Sequence, residues 1–153
     1  MGEKKENCQK GIDALNKISK ETMPISQSHF YRTEPTDFME QDLFVNVIVK
    51  ITTDLSPHDL FLKLKEIEKQ AGRKQSDIKF GPRILDMDII LYDDIVLNTE
   101  ELVIPHARMH KRRFVLKPLC DISPDVVHPV LKKDIKNLLN LLDEANQEVV
   151  SYS

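Results

Sequence analysis

Several residue types are scarce in this chain of 153 residues, and their scarcity excludes whole classes of protein. It has no tryptophan, four glycines and two cysteines, Cys8 and Cys120, which lie far apart without CxxC spacing. A disulfide framework and a fibrous repeat are therefore excluded. The sequence has no apolar run of about 18 residues and no secretory signal, so a membrane is not an expected partner. We expect one cytoplasmic domain, residues 1–153, with a conventional hydrophobic core.

Charge is nearly balanced, with 22 lysines and arginines against 25 aspartates and glutamates and a formal net charge of −3. This balance, and the scarcity of aromatic residues among the basic ones, disfavours a nucleic-acid partner. One stretch departs from the average, because residues 106–113 carry four lysines or arginines and two histidines. A solvated loop is the ordinary interpretation of such a run, and a site for a polyanion is the alternative.

Apolar periodicity alternates between helical and strand spacing along the chain. Asp54 or Ser56 is expected to cap the second helix. The order of elements predicts an α+β fold, with a mixed or antiparallel sheet and helices on its faces. The predicted elements are a helix over Glu6–Lys20, a strand over Leu43–Thr52, a helix from Pro57 to Gly72, a strand over Arg83–Tyr92 and a helix near Ile135–Asn146.

Two carboxylates dominate the second predicted strand. Asp86 and Asp88 alternate with the apolar Leu85, Met87 and Ile89. In an extended chain both carboxylates point to one face, roughly 6 to 7 Å apart. Such a pair is unfavourable unless cations compensate it, and it suits Mg²⁺, which binds a few carboxylates together with water and substrate phosphate. The alternative is a pair that faces solvent on an exposed sheet.

Cationic side chains flank this carboxylate pair in the sequence. Arg83 follows a Gly-Pro turn and suits a phosphate clamp, with an ion pair to the carboxylates as the alternative. Arg73 lies on the same flank, and His106 and Arg112 lie on the other. Together these residues describe a nucleoside triphosphate site. No P-loop or GxGxxG motif is present, so side chains and metal would hold the phosphates.

The spacing of these motifs resembles that of the 6-hydroxymethyl-7,8-dihydropterin pyrophosphokinase family. The resemblance spans residues 28–130 without a gap. The segments that carry it are FYRTEP at residues 30–35, FVN at 44–46, Glu68 through Gly72-Arg73, FGPRILDMDIILY at 80–92, and Ile104-Pro105-His106 through Arg112-Arg113-Phe114.

The resemblance implies a ferredoxin-like α+β fold, mostly antiparallel, and transfer of pyrophosphate from ATP to a reduced pterin with release of AMP. Two Mg²⁺ ions would bridge the ATP phosphates on Asp86 and Asp88, with ATP as co-substrate. Core packing is the alternative for the phenylalanines given below. The implied roles are catalytic for Arg83, Asp86, Asp88 and Arg112, ATP contact for Glu68, Arg73, Arg83, His106 and Arg112, and pterin contact for Thr33, Phe44, Asn46, Phe80 and Phe114.

The chain departs from the family pattern in three places. The family usually begins with a strand that leads into Gly-Ser-Asn-Leu-Gly, whereas this sequence begins Met1-Gly2-Glu3. We therefore expect the sheet to lack an interior strand, which weakens the sheet and one wall of the pterin site. Gln75 stands where many members have arginine, and Phe80 stands where many have tryptophan.

Two other functions remain as alternatives. A nucleotidyltransferase also places a glycine, here Gly81, ahead of an Asp-x-Asp strand, but it attacks the α-phosphorus and releases pyrophosphate. The second alternative is a non-catalytic ferredoxin-like module that binds RNA or protein. The absence of the family's usual first strand favours this alternative. We expect a monomer, with the gap in the sheet as the place where self-association would occur.

Overall fold

The computed structural model describes residues 2–33, 44–73, 85–142 and 149–152 of the chain. Helices and small antiparallel sheets confirm the predicted α+β class. None of the described helices is long and apolar enough to cross a membrane. The helices are α1 (Gly2–Leu15), α2 (Pro57–Arg73), α3 (Arg113–Ile122) and α4 (Ile135–Asn140). The strands are β1 (Met23–Gln27), β2 (Phe30–Thr33), β3 (Phe44–Asn46), β4 (Val49–Thr52), β5 (Leu97–Asn98), β6 (Val103–Ile104) and β7 (Val149–Tyr152).

Helix α2 begins where a capping residue satisfies its first amides. The hydroxyl of Ser56 accepts a hydrogen bond from the Asp59 amide at 3.2 Å, so Ser56 rather than Asp54 is the cap. The Asp54 carboxylate instead accepts a hydrogen bond from the hydroxyl of Ser19 at 2.9 Å. The helix extends through Gly72, which therefore lies in its last turn and not beyond its end.

A broken antiparallel hairpin forms the main part of the sheet structure. Strand β1 pairs with β4, and β2 pairs with β3 on one edge and with β7 on the other. The break lies at Ser28, whose amide donates to the Ile48 carbonyl at 2.8 Å and whose hydroxyl accepts from the Ile48 amide at 2.9 Å. The strand predicted over Leu43–Thr52 is therefore two strands, because a side chain replaces one backbone partner at this point.

The predicted strand over Arg83–Tyr92 is wrong for its described part. Residues 85–92 take part in none of the three sheets that the described chain forms. Their burial nevertheless alternates as in an extended chain: Asp86 and Asp88 are exposed, whereas the residues between and beside them are half-buried or buried. Sequence pattern predicts such alternation, but a strand also needs a neighbour to complete its hydrogen-bond ladder.

Two hydrophobic clusters cover opposite sides of the layer that contains residues 44–52 and 85–92. The first cluster joins Leu15 of α1 and Leu64 of α2 to Ile89, and Val49 and Ile51 pack against it. The second cluster is built from α3, α4 and the turn before α3, and Ile48 and Ile90 pack against it. Within the layer lies a cavity of about 670 Å³, hereafter the central cleft, with residues 45–53 along one wall and residues 85–93 along the other.

Candidate active site

A second cavity lies beside the two aspartates and collects side chains from distant parts of the chain. It has a volume of about 430 Å³ and is hereafter the basic cavity. Three of the predicted site residues, Asp88, His106 and Arg112, line it together. The cationic side chains outnumber the carboxylates, so the lining favours an anion. The charged residues that line it are Lys65, Asp88, Glu101, Arg108 and Arg112.

His106 is held in this cavity as a hydrogen-bond donor. Its amide donates to the Ile90 carbonyl at 2.9 Å, which fixes it beside Asp88, and its Nδ1 accepts from the Arg108 amide at 3.2 Å. Because Nδ1 accepts, the neutral ring carries its hydrogen on Nε2. Burial lowers the pKa of His106, and this effect outweighs the opposing attraction of Asp88, while Arg112 and Arg108 lower it further. A neutral ring with a donating Nε2 follows at pH 7.

Arg112 lies at the junction between a single 3₁₀ turn, Met109–Lys111, and helix α3. Its carbonyl oxygen accepts hydrogen bonds from the amides of Val115 and Leu116 in the first turn of α3, both at 3.0 Å. Its guanidinium lies 5.4 Å from the centre of the Phe114 ring, within range of a cation–π contact. Phe114 also packs against the second hydrophobic cluster. The ring therefore packs against the core and also supports Arg112.

Asp86 and Asp88 share the exposed side of their segment, as the sequence predicts. Both line the central cleft, and Asp88 also lines the basic cavity. Within the described ranges, no three His, Cys, Asp or Glu side chains cluster closely enough to form a metal site by themselves. Two exposed carboxylates fit Mg²⁺ all the same, since this ion takes its remaining ligands from water and substrate phosphates.

The carboxylate of Glu68 anchors the backbone between these two aspartates. Its Oε2 accepts a hydrogen bond from the Met87 amide at 2.5 Å. Its Oε1 pairs with the Lys65 ammonium at 3.1 Å, one turn earlier on α2. The position of Asp86 and Asp88 thus depends on a half-buried carboxylate of another element. Contact of Glu68 with ATP stays a prediction.

Three of the five residues expected at the pterin, Thr33, Phe44 and Asn46, lie on β2 and β3, whereas Phe114 lies on α3 beside Arg112. Asn46 donates from Nδ2 to the hydroxyl of Thr33 at 2.8 Å, and Thr33 is fully buried. The backbone of Phe44 pairs opposite Thr33, which places all three residues at the same end of the hairpin. Asn46 also lines the central cleft, as the two aspartates do.

Four predicted site residues lie partly or wholly outside what the structure describes. Phe80 and Arg83 are outside the described residues, as is Gln75, and nothing is described of the side chains of Phe44 and Arg73. The structure adds Lys65 and Arg108 to the basic cavity. Arg108 belongs to the basic run 106–113, whereas only the distance of Lys65 from Glu68, one helical turn, hinted at its place.

Comparison with known protein families identifies the family of this chain. A family model described as 7,8-dihydro-6-hydroxymethylpterin-pyrophosphokinase (HPPK) matches residues 1–124, most of the chain. The chain belongs to the HPPK family. The matched range includes the aspartate segment, the basic cavity and the Thr33–Asn46 group.

Individual relatives support the same assignment. Folic acid synthesis protein FOL1 of Dictyostelium discoideum is 40% identical over 131 residues, which are 86% of this chain and 19% of that protein. The 2-amino-4-hydroxy-6-hydroxymethyldihydropteridine pyrophosphokinase of Aquifex aeolicus is 42% identical over 109 residues, 71% of this chain and 68% of that protein. The protein of the same name from Pseudomonas aeruginosa is 37% identical over 129 residues, 84% of this chain and 78% of that protein. The chain spans less than a fifth of the folic acid synthesis proteins that it matches.

Proposed function

We propose that this chain transfers pyrophosphate from ATP to the hydroxyl of 6-hydroxymethyl-7,8-dihydropterin, giving the pterin diphosphate and AMP. The observation that carries this proposal is the meeting of Asp88, His106 and Arg112 in one basic cavity of an HPPK-family chain. The proposal includes a ferredoxin-like arrangement of the α+β elements and a cytoplasmic, monomeric enzyme.

On the nucleotide side, the basic cavity would receive the triphosphate. Asp86 and Asp88 would hold Mg²⁺, which when bound neutralises charge on phosphate oxygens. Arg112 would offer its planar fork to a phosphate, kept in orientation by the Phe114 ring beneath it. His106 would donate from Nε2 without taking a proton, because its Nδ1 is already engaged. Charge stabilisation and positioning, rather than a protein base, therefore account for the chemistry.

On the pterin side, Asn46 and Thr33 would bind the edge of the flat ring. The Asn46 amide is oriented by its hydrogen bond to Thr33, so its carbonyl oxygen has a defined direction. The aromatic walls would come from Phe44, Phe80 and Phe114, as the family resemblance implies. An apolar slot with one or two convergent polar groups is typical of sites for flat heteroaromatic ligands.

The proposal is tested by identifying the products. The purified chain is incubated with Mg²⁺, ATP and 6-hydroxymethyl-7,8-dihydropterin, and nucleotides are separated by ion-exchange chromatography. AMP and pterin diphosphate in equal amounts are expected. Release of pyrophosphate without AMP would instead indicate a nucleotidyltransferase, and absence of both turnover and Mg²⁺-dependent ATP binding would indicate a non-catalytic module.

A matched pair of variants tests the assignment of the site. Asp88→Asn removes a carboxylate that lines the basic cavity, and Asp94→Asn removes an exposed one six residues later that lines neither cavity. We expect Asp88→Asn to lower turnover by on the order of 10²-fold or more, as for loss of a preorganised electrostatic contact. Asp94→Asn should be as active as the parent chain, and equal activity of the two variants would contradict the site.

A further inference from the structure

Helix α3 connects the proposed site to a carboxylate that lies outside it. The helix carries Phe114 in its first turn and Asp121 in its last turn. These two residues are two helical turns apart, a rise of roughly 10 Å, so they lie on nearly the same side of the helix. Between them, the buried Leu116 and Leu119 hold α3 on the second hydrophobic cluster. Asp121 is therefore a fixed point relative to the Phe114 ring.

The carboxylate of Asp121 holds the hydroxyl of Tyr31 on β2. The hydroxyl donates to this carboxylate, at 2.9 Å from Oδ1 and 2.7 Å from Oδ2, and Tyr31 is only 4% exposed. The amide and the Nδ1 of His29 also lie 3.4 and 3.5 Å from Oδ2, but the His29 side chain is 77% exposed. A short, shielded hydrogen bond to a charged acceptor contributes more than a contact in solvent, so Tyr31 is the principal partner of Asp121.

Tyr31 shares its face of β2 with the polar pair expected at the pterin edge. Thr33 follows two residues later and is likewise buried, so both side chains point to the same face of the strand. Asn46 pairs opposite Tyr31 on β3 and donates to the Thr33 hydroxyl at 2.8 Å. Helix α3 packs against both strands. The hydrogen bond of Tyr31 thus ties α3 to the strand pair that orients the Asn46 amide.

Strand β2 lies outside the ladder that its preceding strand forms. In the described chain, β1 and β4 form one sheet and β3, β2 and β7 form another, with the break between β1 and β2 at Ser28. The hydrogen-bond register of the first sheet therefore does not extend to β2. The Tyr31–Asp121 hydrogen bond supplies a separate constraint, because it joins β2 to a helix that the hydrophobic core already holds.

We propose that Asp121 is a positioning residue of the pterin site, which acts through Tyr31 to set the distance between the Thr33–Asn46 pair and the Phe114 ring. The inference rests on the proposed function, since it requires a pterin that binds between these groups. A flat ligand gains from its edge contacts and its stacking contact together only when their spacing is correct, and a misplacement of about 1 Å costs up to roughly 10²-fold. Neither Tyr31 nor Asp121 lines the basic cavity, so binding of ATP should not depend on their hydrogen bond.

The test measures pterin binding directly. Fluorescent 6-hydroxymethylpterin is titrated into the full chain with Mg²⁺ and an ATP analogue whose α and β phosphorus atoms are joined by a methylene group, which blocks transfer of pyrophosphate. We expect Asp121→Ala and Tyr31→Phe each to raise the Kd of the pterin by roughly tenfold, and to change the Kd of the analogue by less than about twofold. The double variant should match the single variants, because each of them removes the same hydrogen bond. Asp121→Asn should restore most of the affinity, since its amide oxygen still accepts from Tyr31.

Two further variants are matched controls. His29→Ala removes the imidazole that contacts the same carboxylate. Asp134→Ala removes a carboxylate that caps α4 by accepting a hydrogen bond from the Asn137 amide at 2.8 Å. Both variants should bind the pterin as the parent does. Loss of a helix cap also lowers stability, so Asp134→Ala separates destabilisation from positioning, and circular dichroism verifies that every variant is folded at the assay temperature.

The outcomes distinguish this inference from the proposed function. An unchanged pterin Kd in Asp121→Ala, an equal rise in Kd for the pterin and the analogue, or effects that multiply in the double variant would overturn the positioning role. A parent chain that binds the pterin but releases no AMP from ATP would overturn the proposed reaction, while the Kd differences would still support the positioning role. A parent chain that binds no pterin would overturn both.

Discussion

Replacing Glu68 with alanine should loosen the segment that carries the two aspartates. The Glu68 side chain is 11% exposed, and its two oxygens engage the Met87 amide at 2.5 Å and the Lys65 ammonium at 3.1 Å. An amide left without its acceptor costs about 1 to 3 kcal/mol, and a partly exposed ion pair contributes about 1 kcal/mol or less. We expect the free energy of unfolding to fall by about 2 kcal/mol, which lowers Tm by roughly 4 to 8 °C in a domain of this size.

Glu66 is the matched control for this substitution. It pairs with Lys63 in the same i,i+3 geometry, but at 3.8 Å and with a carboxylate side chain that is 58% exposed. Glu66→Ala should change the free energy of unfolding by less than about 0.5 kcal/mol. Urea unfolding of both variants, followed by circular dichroism, measures the difference. Equal losses of stability in the two variants would refute the anchoring role of Glu68.

Glu68→Gln separates the acceptor from the charge. The amide oxygen of glutamine still accepts the Met87 hydrogen bond, whereas the attraction to Lys65 is lost. If the acceptor positions Asp86 and Asp88, alanine should lower kcat/KM for pyrophosphate transfer by roughly tenfold to 10²-fold, and glutamine should restore most of it. Equal kcat/KM for the two variants would assign the effect to the charge instead.

Four further changes test other parts of the structure. Tyr31→Phe should cost about 1.5 to 3 kcal/mol in urea unfolding, since its buried hydroxyl donates to the Asp121 carboxylate. Burial and that carboxylate raise the pKa of Tyr31 to about 12. The stability that this hydrogen bond contributes should therefore be complete below pH 10, near the ordinary pKa of tyrosine (about 10), and should be lost as pH rises towards 12. The Nδ1 of His128 accepts hydrogen bonds from two backbone amides, and burial, together with the nearby His110, lowers the pKa of His128. The free energy of unfolding of the parent chain should therefore fall as pH drops below about 6.5, the ordinary pKa of histidine. In His128→Asn this loss should be smaller. Gly72→Ala should raise Tm by up to roughly 4 °C, because no atom of the described residues lies within 4 Å of the added methyl and alanine favours the helix by about 1 kcal/mol. Arg112→Ala should lower the steady-state rate of AMP release by on the order of 10²-fold, and an unchanged rate would remove it from the site.

Local patterns in the sequence predict the features that depend on near neighbours. Ser56 caps α2 because serine before a proline-led helix satisfies the first amides, and sequence alone narrows the choice to Ser56 or Asp54. The alternation around Asp86 and Asp88 predicts which side chains face outward. Both inferences require only the geometry of a few consecutive residues.

Features that depend on distant partners are not predictable in this way. The break at Ser28 requires the Ile48 amide to meet a hydroxyl 20 residues away. Strand β7 forms only because Phe30–Thr33 offers an edge more than a hundred residues earlier in the chain. The same limit makes the strand prediction wrong over its described part, residues 85–92, since periodicity cannot show whether a neighbour is present.

The aspartate segment keeps its orientation without a sheet because two hydrogen bonds set its register from outside. The Glu68 carboxylate binds the amide of Met87, and the Ile90 carbonyl binds the amide of His106. A shift of one residue would turn every side chain to the opposite face and carry Asp86 and Asp88 into the hydrophobic cluster. Burying two unpaired carboxylates costs far more than either hydrogen bond contributes, so burial and anchoring select the same register. The His106 hydrogen bond also links this register to the basic cavity, which fixes the position of the aspartates relative to His106.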